Sequence, residues 1–493
     1  MSSAPHEAHD LKSTVCACGL ATLWAASVSA SEPDWRQSRG DPGNQARFTL
    51  ESKRTSVPRP WTFEGSGRTW GYEPGMTVWS SAAIASVGGR TLLAVGNYDH
   101  DVYGLDATTG QLVYSFTTGG RVQSAPTIWN DGARSWLFVA SNDRVLYALD
   151  ATNGRQAWVH AVERYSPTLG GARLTSPTVG EAGERPAVFV GHWVWDRALA
   201  SSFQRAELSA FDARQGKPLW RVELGDNELT APVFISRGGR RWIVIGSSTG
   251  ALFGIDADSG RVKWRHTELD AIRSAPAVFD VHGAPLVFVT SKYGAVRALE
   301  LETAKEVWVF KTGDRILGSP LVAELEGRPR VFVGSYDGGL YSLDASTGAL
   351  LWRYSAKAGI HSSPSIALEG DRAIVLASAW DHALHAVSAK TGELVFASFT
   401  GRPLWAVSGL DASVWASPVS ARLDGRWMSY LGSYDGTLRA IPLDEAGRSA
   451  PPERSNVVFW LTFPAALTPT LGLAFALTRR HRRESSRRVS PSR

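Results

Sequence analysis

The sequence predicts an all-β fold: an eight-bladed β-propeller of four-stranded blades, closed by an N-terminal strand and followed by a C-terminal transmembrane helix. Three observations carry this. First, a turn motif, apolar-Asp-Ala-x-x-Gly-x-x-x-Trp, recurs at Asp106, Asp150, Asp212, Asp256 and Asp344, with weaker copies at Glu300, Ser388 and Pro442. Five of the seven intervals between these anchors are 44 residues, a period typical of propeller blades. Second, a small-small-Pro motif centres on Pro126, Pro177, Pro232, Pro276, Pro320, Pro364 and Pro418, with Ala82 in the first copy. It stands 24 residues before the anchor in every unit except the third, where the distance is 35. Third, a chain of 493 residues with 48 Gly and 20 Trp, in short apolar runs broken by Asp-Gly and Thr-Gly pairs, favours strands and tight turns over helices.

The elements follow in chain order. Residues 1–30 read as a signal peptide: a lone Lys12, an apolar run, then Val28-Ser29-Ala30 before a polar stretch. The only cysteines, Cys16 and Cys18, would leave with it, so the exported chain would lack disulfides, zinc-thiolate sites and cysteine catalysis. Residues 31–59 read as a linker and 60–445 as the propeller. Each unit offers the Ser-Pro strand, a very apolar strand such as RVFVGS, a strand such as LYSLD and one ending in Trp. Asp337-Gly338 is a hairpin turn that needs positive φ, and Asp344 through Gly348 is a second tight turn. The last unit lacks a Trp strand of its own. Trp70 precedes Ala82 by the 12 residues that separate Trp352 from Pro364, so Gly67 to Gly71 are expected to complete blade eight.

Residues 446–455 form a second linker. Asn456 to Thr478 is long enough to span a membrane, and the Arg-rich tail 479–493 would then be cytoplasmic with the propeller on the periplasmic or extracellular side. A cleavable sorting segment has the same layout. Much of the formal charge of +5 sits in that tail, which gives no support for a nucleic-acid surface.

With GSYDGxLYxLDxxTGxxxW after a Ser-Pro strand, residues 60 to 445 resemble the PQQ-like eight-bladed propellers. That family includes quinoprotein dehydrogenases and non-catalytic propellers such as the BamB lipoprotein. The dehydrogenase branch implies pyrroloquinoline quinone and calcium in the channel, held by carboxylate, amide and arginine side chains beside a disulfide of adjacent cysteines, with an Asp as base. This chain departs from it: no cysteine survives export, the blades are minimal, and no CxxCH haem motif occurs. The repeat aspartates serve turns in nearly every blade and are not carried over as a base. The BamB-like branch implies a non-catalytic scaffold of the cell envelope that meets a protein partner through one face, with no cofactor and no metal. Cys16 lacks the apolar stretch that precedes an acylated cysteine, so a membrane helix would replace the lipid anchor. A ligand-sensing surface ectodomain is the further alternative.

Departures from the repeat locate candidate sites. Insertions of 7 residues before Pro177, 11 inside blade three and 10 before Pro418 contain ERYSPTLGGAR, HWVWDRALASSFQR and GRPLWAVSGLDAS. All three are expected on one face as loops, with His192, Trp193, Trp195, Arg197, Arg402 and Trp405 as partner contacts. Three residues before each Pro centre, the chain varies where its neighbour is uniformly apolar. This position should face the channel mouth, making Trp79, Gln123, Arg273, His361 and Trp415 candidates for a small anionic or aromatic ligand. His382 and His385 point to opposite faces of one strand and share no metal.

Overall fold

The computed structural model describes residues 47–50, 61–64, 80–162, 169–196, 204–225, 228–267, 269–369, 372–399, 416–432 and 437–444. The expected signal peptide, Gly67 to Gly71, and everything from residue 445 onward lie outside them. Among the described residues the strands form eight sheets, antiparallel except for one strand added to blade eight, and no helix, and no helix is long and apolar enough to cross a membrane. Blade six is representative. Leu321–Leu325, Arg328–Gly334, Gly339–Asp344 and Leu350–Ser355 pair in sequence order, from the innermost strand to the outermost.

Both repeated motifs have a physical cause. In the small-small-Pro motif, the hydroxyl two residues before the centre accepts an N–H from its own blade's second strand. Gly96 donates to Ser80 at 2.8 Å, Gly191 to Thr175 at 2.9 Å and Ser378 to Ser362 at 2.8 Å. The hydroxyl one residue before the centre accepts from the preceding blade: Ala125 donates to Ser176 at 2.9 Å, Ser319 to Ser363 at 2.8 Å and Ser363 to Ser417 at 3.1 Å. One short motif therefore ties a blade to itself and to its neighbour, satisfying buried amides.

In the turn motif, Asp344 accepts the N–H groups of Ser346 and Thr347 at 3.0 and 2.9 Å, and Gly348 adopts φ 73°. Trp308 of blade five lies on that turn. Its Nε1 donates to the Ala345 carbonyl at 2.9 Å, and a Cβ on Gly348 would sit 2.6 Å from the indole. The glycine thus serves both backbone and ring. Within a blade the Trp also packs on a buried Phe of the second strand, as in Phe332–Trp352 and Phe288–Trp308, with centroids 5.8 and 5.9 Å apart.

Blade eight is Val419–Leu423, Arg426–Gly432 and Thr437–Pro442, completed by Trp61–Glu64 from the N-terminal segment. Closure by an N-terminal strand is as expected, but the strand differs. Trp61 pairs with Ala440, two residues before the anchor, as Trp352 pairs with Ser342 and Trp308 with Ala298. Trp61 therefore holds the position that counting back from Ala82 assigned to Trp70. The link from Trp61 to Ala82 is 21 residues, longer than the 12 from Trp352 to Pro364, which displaced the count. The expected linker 31–59 also contributes structure: Arg47–Leu50 pairs in parallel with Val419–Leu423 on the channel side of blade eight. Blade eight meets blade one through a shared core of Tyr430, Met428, Leu93 and Leu105, and Tyr430 Oη donates to the Ala107 carbonyl at 2.9 Å.

Candidate interaction face at the channel mouth

The segments entering blades two, five and seven are clamped between two hairpins. Four residues before the Pro centre, the amides of Val122, Ile272 and Ile360 donate to Asn97, Ser247 and Ser335 of the preceding blade at 3.0, 3.1 and 2.9 Å. Five before, the carbonyls of Arg121, Ala271, Arg315 and Gly359 accept from Asn142, Lys292, Tyr336 and Trp380 of the blade being entered, at 2.8 to 3.0 Å. The apolar residues of the first set are buried. The side chain that follows them is wedged between the hairpins of two blades at the channel mouth.

Gln123, Arg273 and His361 all stand in this wedge. Gln123 donates through Nε2 to Tyr98 Oη and accepts from Asn142 Nδ2 at 3.1 Å, so its amide joins blade one to blade two. Arg273 is exposed and reaches Glu228 at 4.0 Å. His361 makes an edge contact with Tyr336 of blade six at 5.5 Å and lies parallel to Trp380 of blade seven at 6.5 Å. Tyr336 and Trp380 meet edge to face at 4.8 Å, and Arg315 lays its guanidinium over Tyr336 at 4.3 Å. Burial and the nearby Arg315 charge push the His361 pKa down to about 4, so this corner presents a neutral imidazole at neutral pH. Leu174 and Leu229 hold the same position on the far side and are buried. The mouth therefore has an aromatic, cationic flank at blades six and seven and an aliphatic flank at blades three and four. Sequence reasoning missed Tyr336, Trp380 and Arg315. The signal was present eight residues before the turn anchor, where Tyr98, Asn142, Lys292, Tyr336 and Trp380 vary between invariant-looking neighbours.

The blade-three insertions form strands where loops were expected. Leu169–Leu174 pairs with the upper part of Arg185–Asp196, which continues into Gln204–Asp212, so the blade rises from the mouth face as a sheet. Trp193 and Trp195 belong to the long strand, paired with Ala206 and Gln204. His192 lies at its root and is 1% exposed, which corrects its expected role as a projecting contact. Its Nε2 meets Glu207 at 3.2 Å, and Arg221 reaches the same carboxylate at 3.2 Å. Trp79, Arg197, Arg402, Trp405 and Trp415 lie outside the described residues.

The aspartates of the hairpin motif are structural. Asp337 accepts from Tyr341 Oη at 2.6 Å and from the amides of Gly339 and Gly313 at 2.7 Å; Asp143 repeats this with Tyr147 and Gly119. In blade seven His385 replaces the tyrosine, with Nε2 at 3.0 Å from Asp381 and Nδ1 at 3.0 Å from Tyr354 Oη. A quinone–calcium group would need converging carboxylate, amide and arginine donors. Among the described residues no three His, Cys, Asp or Glu side chains come together, Gln123 is engaged with Tyr98 and Asn142, and Arg47–Leu50 runs along the channel edge of blade eight. The described residues do not fit that group.

The repeat geometry has counterparts among known proteins. The fold matches the quinohemoprotein alcohol dehydrogenase from Comamonas testosteroni, with TM-score 0.61 and 13% identity over 85% of this chain and 81% of that one. It also matches a europium-containing methanol dehydrogenase, with TM-score 0.58 and 14% identity over 82% and 91%. BamB from Moraxella catarrhalis matches with TM-score 0.51 and 15% identity over 77% and 95%. At these identities the likeness is one of fold. No curated protein matches the chain. A family model described as the outer membrane protein assembly factor BamB matches residues 21–191, 204–282, 276–397 and 313–440. The chain belongs to this PQQ-like β-propeller family.

Proposed function

We propose that the protein is an exported, membrane-anchored scaffold of the cell envelope that binds a protein partner through the mouth face and carries out no catalysis. The observation that supports this most is the raised sheet of blade three, a protruding edge on the face where the blade-six and blade-seven aromatics gather. Aromatic and arginine side chains around a protruding edge suit protein recognition, and the aspartates of the repeat are spent on turns. The anchor in this reading is Asn456 to Thr478, with the signal peptide removed.

Site-specific photocrosslinking in cells from positions 193 and 405 of the full chain tests the reading. An envelope protein should be captured there and not from Ser346, on the opposite face. Equal capture from all three positions defeats the proposal. Titration of the full chain with pyrroloquinoline quinone and calcium should give no binding; saturable binding together with alcohol-dependent dye reduction establishes the quinoprotein activity instead.

A further inference from the structure

Among the described residues, five junctions between blades share one lock, in which the outer-strand Trp donates Nε1–H to the carbonyl that follows the next blade's turn anchor. The pairs are Trp158–Ala213, Trp220–Ala257, Trp264–Leu301, Trp308–Ala345 and Trp352–Ala389, at 2.8 to 3.0 Å. The junction from blade seven to blade eight has no such lock. Its Trp position is Phe396, which has no N–H to give, and the turn it faces begins Pro442-Leu443-Asp444 without the Asp-to-Gly motif. Phe396 packs in a buried cluster with Ile374, Trp427 and Leu443, and a cleft lies against those three residues. Two adjoining cavities of about 360 and 90 Å³ share Arg372 and Ile374. They lie on the face opposite the mouth, where the turns and the hairpins between first and second strands gather.

The lining is apolar with a cationic rim. Ile374 and Val395 line the larger cavity, and Trp427 and Leu443 the smaller. Of the charged groups at the rim, Arg426 forks onto Asp444 at 2.6 and 2.8 Å and Lys390 pairs with Glu326. Arg372 is exposed and makes no ion pair among the described residues, so the rim carries one cation in surplus. Trp427 is 6% exposed, and its Nε1–H has no hydrogen-bond partner among the described residues. A buried donor left unpaired is costly, and an anionic acceptor beside it is correspondingly favoured.

We propose that this cleft binds a small monocarboxylate bearing an apolar tail, its carboxylate held by Arg372 and the Trp427 N–H and its tail against Ile374 and Val395. The same chemistry is offered by a free short-chain fatty acid and by the C-terminus of a peptide ending in an apolar residue. Calorimetric titration of the full chain with hexanoate and with an N-acetylated tripeptide ending in Leu separates the two sources. Saturable binding of either supports the site, and the tighter one names the source. Arg372→Gln, a surface change that leaves the core intact, is expected to weaken binding at least about tenfold. Val395→Trp, at a half-buried position on the wall of the larger cavity, should abolish it by filling the cleft. The proposal is overturned if neither acid binds, if hexanamide binds as well as hexanoate, or if both variants bind like the wild type.

Discussion

At the junction between blades six and seven, Trp352 crosses to the next blade, donates to the Ala389 carbonyl at 3.0 Å and lies on Gly392. One blade further on, Phe396 pairs with Ala386 in the register that Trp352 has with Ser342, but it has no N–H to donate. The backbones are equivalent and the side chains are not. Ring closure thus tolerates an unlocked junction, and the tolerance is local: blades seven and eight are still tied by Ser363 to Ser417 and by Ser365 to Ser420 along their inner strands. The inner strands hold the ring together, and the outer Trp is a second, separable fastening.

The most direct way to break this comparison is to remove a lock. Trp308 is 8% exposed and joins a core that spans blades five and six. Trp308→Ala should lose about 3 to 5 kcal/mol in urea unfolding of the full chain. The same truncation at Phe396, a smaller ring that makes no such hydrogen bond, should cost clearly less. Equal losses would show that the indole lock adds nothing to what an aromatic ring supplies.

A finer cut separates ring contact from backbone strain. Gly392 has φ 78°, and a Cβ there would sit 2.8 Å from the Trp352 indole; Gly425 has φ 81° with nothing within 4 Å. Gly425→Ala should cost about 1 kcal/mol, the penalty of a left-handed alanine alone. Gly392→Ala adds displacement of the ring, for about 2 kcal/mol in total. Matching values from denaturant titration would mean that the indole gives way freely.

How much of this was legible in the sequence depends on the kind of contact. The blade count, the turns and the closing strand follow from local chemistry that repeats: Asp344 to Gly348 needs only itself to form its turn, and the Ser-Pro hydroxyls act at fixed offsets. Trp61 was mistaken for Trp70 because a connection of unrestrained length intervenes, and spacing carries no information across it. The mouth was half legible. Alternation placed Gln123, Arg273 and His361, but the partners of His361 come from two other hairpins, and only the packing of blade six against blade seven brings Tyr336 and Trp380 beside it. His192 was misplaced because an insertion can lengthen two strands as readily as it can form a loop, and its pairing with Glu207 is a cross-strand contact between residues 15 apart. The missing lock at Phe396 is written as one weak copy of a motif, whose meaning depends on what packs against it.

The smallest effect concerns acid. Blade six closes its hairpin with Asp337 and Tyr341, blade seven with Asp381 and His385. Burial alone would raise the Asp337 pKa, but hydrogen bonds from Tyr341 Oη and the amides of Gly339 and Gly313, with the Arg353 charge, hold it below the usual aspartate value. A carboxyl depressed in the folded state stabilises fully above its unfolded pKa, near 4, and that contribution disappears as the pH falls through the lower folded value. Asp337→Asn should therefore be less stable than the wild type at pH 7, and the gap in melting temperature should narrow below about pH 4. Asp381 is likewise depressed: burial opposes the shift, and the His385 hydrogen bond and charge outweigh it. Asp381→Asn should show the same narrowing on acidification. A gap that stays constant from neutral pH into the acid range, in either variant, would mean that the carboxylate charge contributes nothing there and that hydrogen bonding alone closes the hairpin.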